Sequence, residues 1–365
     1  MRTFTRRMTR RDALTWLGCS AGVGIAAALG RDSSAMGGLG QRAGAPKAPA
    51  FPKGAVIRTL LKDMPPEALA GGAILFHEHL SMHYPPQVKE HFTDDVAMMV
   101  DEARAARADG IACIVDGGHP DMSRSLDALK RIAAESGLPI VGSGGYYMQR
   151  TYPPDIAMKS ADEIAEELAR DAGAQHLGAF GEIGQQGGVL TDDEKKVFQA
   201  VAKAQVRTGL PIFTHNAYTG TRPIQTPVPR DAALRQLDVL ESAGATPAHV
   251  AIGHVCCLDE PAALVAQQVA KRGAFVGFDR VTIPIVPDAE RVTMIMAMVE
   301  AGYADQVLIS SDFAVANSLK KNGGAGLAQA STVFGPMLVK AGLSEAMLHH
   351  ILVDNPRRFL AFVPK

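Results

Sequence analysis

The chain has 365 residues, 47% of them hydrophobic and 21% charged, with 37 Lys and Arg against 38 Asp and Glu. Such a chain can bury a large core, as one barrel-sized domain or as two ordinary ones. The balanced charge excludes a basic nucleic-acid footprint, and the first 35 residues hold six Arg against two Asp, leaving 31 basic and 36 acidic residues in the rest.

The N-terminus reads as a targeting segment. Thr9-Arg10-Arg11-Asp12-Ala13-Leu14, followed by a weakly apolar, Gly- and Ala-rich run from Leu17 to Leu29, has the form of a twin-arginine export signal. The run is shorter and softer than the about 20 apolar residues of a membrane anchor, so no stable anchor is expected. Ser33-Ser34-Ala35 offers small residues for a cut near Met36. Cys19 follows Leu17-Gly18 as in a lipoprotein site, but Trp16 stands where that site needs an aliphatic residue. Residues 1–35 are therefore read as a cleaved signal, taking the folded protein to the periplasm or outside the cell. Residues 36–54 are read as a flexible lead-in and 55–365 as one domain, with 55–70 forming a short hairpin or cover.

Ile74-Leu75-Phe76-His77-Glu78-His79-Leu80 opens that domain. Residues two apart on a strand share a face, so His77 and His79 converge while Glu78 turns away. Further strands are expected at 111–116, 139–144, 178–182, 211–215, 249–254, 274–279 and 306–311, the first covering 73–77. Helical periodicity marks 94–109, 121–136, 161–173, 192–208, 231–244, 260–272, 288–302 and 342–352. Strands that alternate with crossover helices imply an α/β fold, a closed parallel (β/α)8 TIM barrel, because parallel pairing needs such crossovers and closure removes the edges. Gly110, Gly137, Gly209, Gly273 and Gly302 each close a helix just before a strand, as left-handed caps would. The long connections 216–230, 280–287 and 313–341 follow strands and belong to the C-terminal face. The last contains Lys320-Lys321-Asn322-Gly323-Gly324, polar enough to form a lid.

Donor side chains recur at the expected strand ends: His77 and His79 at the first, Glu182 at the fourth, His215 at the fifth, His254 at the sixth and Asp312 at the eighth. So many ionisable groups at one mouth are costly unless they share a partner, and a metal centre is the partner this set fits. Cys113 reads as a buried strand residue, and Cys256-Cys257 as packing near the site; their number and spacing make no disulfide framework.

The chain resembles the phosphotriesterase family of the amidohydrolase superfamily from about residue 55 to 363. Phe-His-Glu-His-Leu (76–80), Gly-Glu-Ile-Gly (181–184), Pro-Ile-Phe-Thr-His (211–215), Ile-Gly-His-Val (252–255), Gly-Phe-Asp-Arg (277–280), Ser-Ser-Asp (310–312) and Asn-Pro-Arg-Arg-Phe (355–359) carry the resemblance. It implies two divalent ions, zinc first with manganese or cobalt as alternatives. His77, His79 and Asp312 would hold one, His215 and His254 the other, and Glu182 would bridge them. Characterised phosphotriesterases and lactonases of the family bridge with a carboxylated lysine; Glu182 is the arrangement of the phosphotriesterase homology proteins, and its shorter arm argues against a phosphotriester preference.

The implied chemistry is attack by a hydroxide shared between ions about 3.5–4 Å apart on a small-molecule lactone or other carboxylic ester. Asp312 would act as ligand and proton acceptor, with Glu182 the other catalytic residue. A phosphotriester is the alternative substrate, and a catalytically silent exported binding protein the alternative class. Tyr146 matches a family tyrosine that contacts substrate. Asp279 and Arg280 match a pair that orients a ligand histidine or lines the pocket, and Asp116 is a candidate for similar support. His83, His91, His119, His176, His249, His349 and His350 fall outside the ligand pattern and are read as surface or loop residues. A homodimer is left open.

Overall fold

The computed structural model describes residues 46–83, 93–218, 228–258, 260–283, 286–314 and 316–365. The twin-arginine motif, the segment 1–35, His91 and much of the 216–230 connection lie outside them. No helix among the described residues is long and apolar enough to cross a membrane.

Eight parallel strands form one sheet in sequential order: Ala73–Glu78, Ile111–Asp116, Ile140–Gly144, Ala179–Gly184, Ile212–His215, Val250–Ile252, Phe275–Phe278 and Val307–Ile309. The sheet closes on itself where His79 N–H donates to Phe313 O at 2.9 Å and Asp312 N–H to His77 O at 3.2 Å. Ile74, Phe76, Cys113, Val115, Val141, Phe213, Phe275 and Leu308 fill the barrel interior, while Leu75, Ile114 and Ile140 pack outward on the helices. This two-faced burial explains the near-continuous apolar strands. The expected barrel is thus the observed one, and the five glycines hold φ between 67° and 91°.

Ser, Thr and Asp caps start four of the helices, Val96–Ala108, Leu126–Ser136, Ala161–Gln175 and Asp192–Thr208, through Asp95, Ser125, Ser160 and Thr191. Ile57–Arg58 pairs with Asp63–Met64 as a hairpin ahead of the first barrel strand. The far end of the lead-in is docked rather than free: Phe51 packs on the barrel interior under Arg357, and Val56 pairs with Phe362.

The chain after the eighth strand differs from expectation. Helix begins at Ala330 rather than 342 and, with a break near 341, runs to Leu360. The polar stretch expected as a lid is tied to the first helix of the barrel, where Lys320 pairs with Asp109 and Lys321 N–H donates to the buried Glu102 carboxylate at 3.0 Å. Lysines and glycines signalled polarity, but the buried carboxylate that captures them lies more than 200 residues away.

Candidate metal centre

Two irregularities in the sheet aim the site. Along the first strand Leu75 pairs with Ile114 and Glu78 with Asp116, three steps against two; along the fourth, Phe180 pairs with Ile212 and Ile183 with Thr214 in the same way. An extra residue reverses the alternation of side chains beyond it. Phe76 therefore stays in the interior and His77, the next residue, also turns inward. His254 and Asp312 are brought in by another route. Both sit at strand ends with left-handed backbones, φ 59° and 48°, conformations that cost a non-glycine residue energy and concentrate at functional sites.

The six candidate ligands are buried and meet in two overlapping groups: His77, His79, Glu182 and Asp312, and Glu182, His215 and His254. Glu182 belongs to both. Its Oε2 lies 2.9 Å from His215 Nδ1, 3.3 Å from His77 Nε2 and 3.4 Å from His254 Nε2, and its Oε1 lies 3.3 Å from His79 Nε2. Asp312 Oδ1 stands 3.1 Å from His79 Nε2, while its Oδ2 accepts from Arg280 Nε at 2.7 Å. Asp279 supports from behind, its Oδ2 accepting from His77 Nδ1 at 2.9 Å and its Oδ1 from His254 Nδ1 at 3.0 Å. Both rings are thereby left with Nε2 facing the cluster.

These residues fit a cationic guest. Among the described residues no aligned hydrogen bond reaches the buried His77 Nε2, whose neighbour Glu182 Oε2 stands at 3.3 Å, an expense that a metal ion would remove. Three buried carboxylates, Glu182, Asp279 and Asp312, lie in the cluster, and of these Asp312 is paired with the Arg280 guanidinium. Burial alone would lower the His79 and His254 imidazoles, yet the surrounding carboxylates raise them to about 10 and about 9. His77 is likewise driven well above its ordinary value, against burial, by Glu182 and Asp279. Glu182 is itself held well below the usual carboxylate range, burial notwithstanding, by His77 and His215. His215 moves the other way, lowered to about 4 by its burial despite Glu182, so positive charge is favoured at three of the four imidazoles; imidazole and carboxylate donors at these separations suit divalent zinc, manganese or cobalt.

Residues that the sequence did not single out complete the surroundings. Glu78, facing away as expected, accepts from Ser310 Oγ at 3.0 Å, Ser311 N at 3.0 Å and Phe313 N at 2.6 Å, and so joins the first strand to the chain leaving the eighth. The adjacent tyrosines divide: Tyr146 packs its ring on Tyr152, whereas Tyr147 is buried with its hydroxyl 3.4 Å from His215 Nδ1. Asp116 accepts from Leu80 N at 2.7 Å and fixes the chain just after His79. Cys256 Sγ accepts the Arg280 N–H at 3.4 Å. Among the histidines read as surface or loop residues, His119 and His350 are buried, the first bonded to Gly181 O and the second between Asp305 and Asp354. His119 is not legible in the sequence because its partner is a main-chain carbonyl 62 residues away, whereas the His350–Asp354 spacing of four residues is a signal that the sequence does carry.

A model of the phosphotriesterase family matches residues 62–360. The phosphotriesterase homology protein of Escherichia coli strain K12 is 29% identical over 297 residues, covering 79% of this chain and 97% of its own. Its crystal structure, with phosphate in the active site, superposes with a TM-score of 0.72 at 28% identity, over 80% of this chain and 99% of that one. N-acetyltaurine hydrolase of Xenopus tropicalis is 26% identical over 357 residues, covering 84% of this chain and 98% of its own. The crystal structure of a lactonase from Listeria monocytogenes gives a TM-score of 0.73 at 25% identity, over 84% of this chain and 99% of that one.

Proposed function

Because the chain belongs to the phosphotriesterase family, and is with that family a metal-dependent hydrolase, we propose that it cleaves a lactone or another small carboxylic ester with two divalent ions. His77, His79 and Asp312 would hold one ion, His215 and His254 the other, and Glu182 both. The observation that carries this reading is that Glu182 is the one donor common to the group with His77, His79 and Asp312 and the group with His215 and His254.

Bound there, the ions would supply an acidified water and polarise the scissile carbonyl. The remaining work belongs to the chain. Asp279 fixes the tautomer of His77 and His254 by accepting both Nδ1 protons. Asp312, oriented by Arg280, takes the proton of the attacking water and returns it to the leaving oxygen. Tyr147 packs edge-on against His215, ring centroids 4.9 Å apart, and helps to hold that imidazole in place.

A second reading, hydrolysis of a small N-acyl amide, is favoured by the N-acetyltaurine hydrolase whose length this chain spans almost completely. Attack at an amide carbonyl makes the same demands on Glu182 and Asp312. Metal analysis followed by a screen of lactones, aryl esters, phosphotriesters and N-acyl amino acids, with metal-stripped protein as control, separates the readings. Lactone or ester turnover that is lost on stripping and restored by zinc is expected; metal-dependent turnover confined to phosphotriesters or amides would overturn the ester reading. Export through the twin-arginine route belongs to the proposal, since that route carries proteins already folded around their ions.

A further inference from the structure

The loop after the second strand grips the peptide that leads into Glu182 by both of its polar atoms. Glu182 N–H donates to Gly117 O at 3.1 Å, and His119 Nε2 lies 2.8 Å from Gly181 O. A carbonyl only accepts, so Nε2 carries the proton and His119 is the donor. The same loop lies against the His-x-His pair: a Cβ on Gly117 would come within 3.0 Å of His77 Cδ2 and 3.3 Å of His79 Cε1. Position 181 accepts only glycine, because with φ 152° a Cβ there would meet the Phe213 ring at 2.3 Å. His119 is fully buried, and its Nδ1 lies 3.7 Å from Asp121 Oδ1. Asp121 Oδ2 in turn accepts from Tyr147 N at 2.9 Å and Thr151 Oγ1 at 2.7 Å. One loop thus registers Glu182, the His77–His79 pair and Tyr147 against one another.

We propose that His119 is a positioning residue that aims the Glu182 carboxylate at both ions through its hydrogen bond to the Gly181 carbonyl. The inference rests on the reading of Glu182 as the shared ligand. An uncharged donor fixed by burial is suited to this task, because a carboxylate that must meet two ions tolerates little rotation of the peptide before it. Partners of this outer kind typically change metal affinity about 10–100-fold when lost.

The test uses the full chain and a matched pair of substitutions. His119→Gln places an amide N–H near the position of Nε2, and His119→Met has similar length and no donor. Zinc(II) affinity is measured by competition with a graded chelator on protein shown by circular dichroism to be folded, alongside kcat and KM. His119→Met is expected to need about 10–100-fold more free zinc for full loading and to lower kcat with little change in KM, while His119→Gln recovers most of both. Wild-type affinity in His119→Met, or equal weakening in both variants, would overturn the proposal. If His119→Met does not fold, nitrogen-15 NMR of the imidazole in the wild type decides: a slowly exchanging Nε2 proton is expected, and a proton on Nδ1 alone refutes it. Glu182→Gln separates the two levels, since loss of metal there with none in His119→Met rejects only the role of His119, whereas retention of both ions in Glu182→Gln rejects the shared-ligand reading itself.

Discussion

Asp279 accepts the Nδ1 proton of His77 at 2.9 Å although 202 residues separate them in sequence. Its other oxygen does the same for His254 at 3.0 Å and also accepts the His254 backbone N–H at 2.7 Å. One carboxylate therefore orients a candidate ligand from each of the two groups.

Asp279→Asn keeps the shape but offers one acceptor where two are needed. Affinity for both ions should fall, by about 10–100-fold, rather than for one alone. Stepwise zinc titration of the stripped protein checks this. Selective loss of a single ion would mean that only one of the two histidines depends on Asp279.

Replacing a ligand should act more locally. His215→Ala or His254→Ala removes a donor from one group only, so metal content should fall toward one ion per chain. His249, half-buried in the turn just before the sixth strand, serves as control, and His249→Ala should keep the wild-type metal content. Equal metal loss in all three would remove the basis for dividing the donors as proposed.

The features legible in the sequence are those carried by side chains at strand ends. His77, His79, Glu182, His215, His254 and Asp312 announce themselves because each is an ionisable residue closing an apolar run, and the barrel's topology does the rest. What stayed hidden depends on backbone. Strict alternation gives His77 and His79 a common face, but not that Phe76 shares the interior with them, since the extra residue in the first strand leaves no compositional trace. Likewise, Tyr146-Tyr147 offers two rings, and only the local turn decides that Tyr147 meets His215. His119 binds a main-chain carbonyl, which no side-chain motif can indicate.

Glu78 tests barrel closure separately from metal binding. Its carboxylate satisfies two backbone N–H groups and two serine hydroxyls, and Glu78→Ala would leave buried donors unpaired. Each such group costs about 1–3 kcal/mol; the serine hydroxyls can turn to other acceptors, so the two backbone N–H groups set an expected loss of about 2–6 kcal/mol in unfolding free energy. Denaturant unfolding with zinc present measures it. Unchanged stability would show that the chain leaving the eighth strand is held by other bonds.

The proposed export is tested at Arg10 and Arg11, which precede the barrel in sequence. Replacing Arg10 and Arg11 together by Lys should keep the protein in the cytoplasm with its metal content unchanged, because neither residue is among the proposed ligands. Cell fractionation followed by metal analysis of each fraction reads both. An exported double variant would dispose of the twin-arginine reading.

Glu182 carries the most consequential prediction. Its two oxygens reach all four histidines of the cluster, at 2.9 to 3.4 Å, so it can serve two ions only as a charged carboxylate. Glu182→Gln preserves the shape and removes the charge; it should weaken binding of the pair and lower turnover by about 10²-fold or more, as expected when a charge that stabilises the reacting centre is lost. Added bicarbonate should leave the wild type unaffected, because no lysine carbamate has to form. Glu182→Lys could regain a pair of ions only by becoming carboxylated, and its longer arm must then fit a buried space shaped by Phe213 and by the loop that holds Gly181. A poor fit, with little rescue by bicarbonate, is therefore expected. Two tightly bound ions and near-normal hydrolysis in Glu182→Gln would show that the groups are joined by something other than this carboxylate.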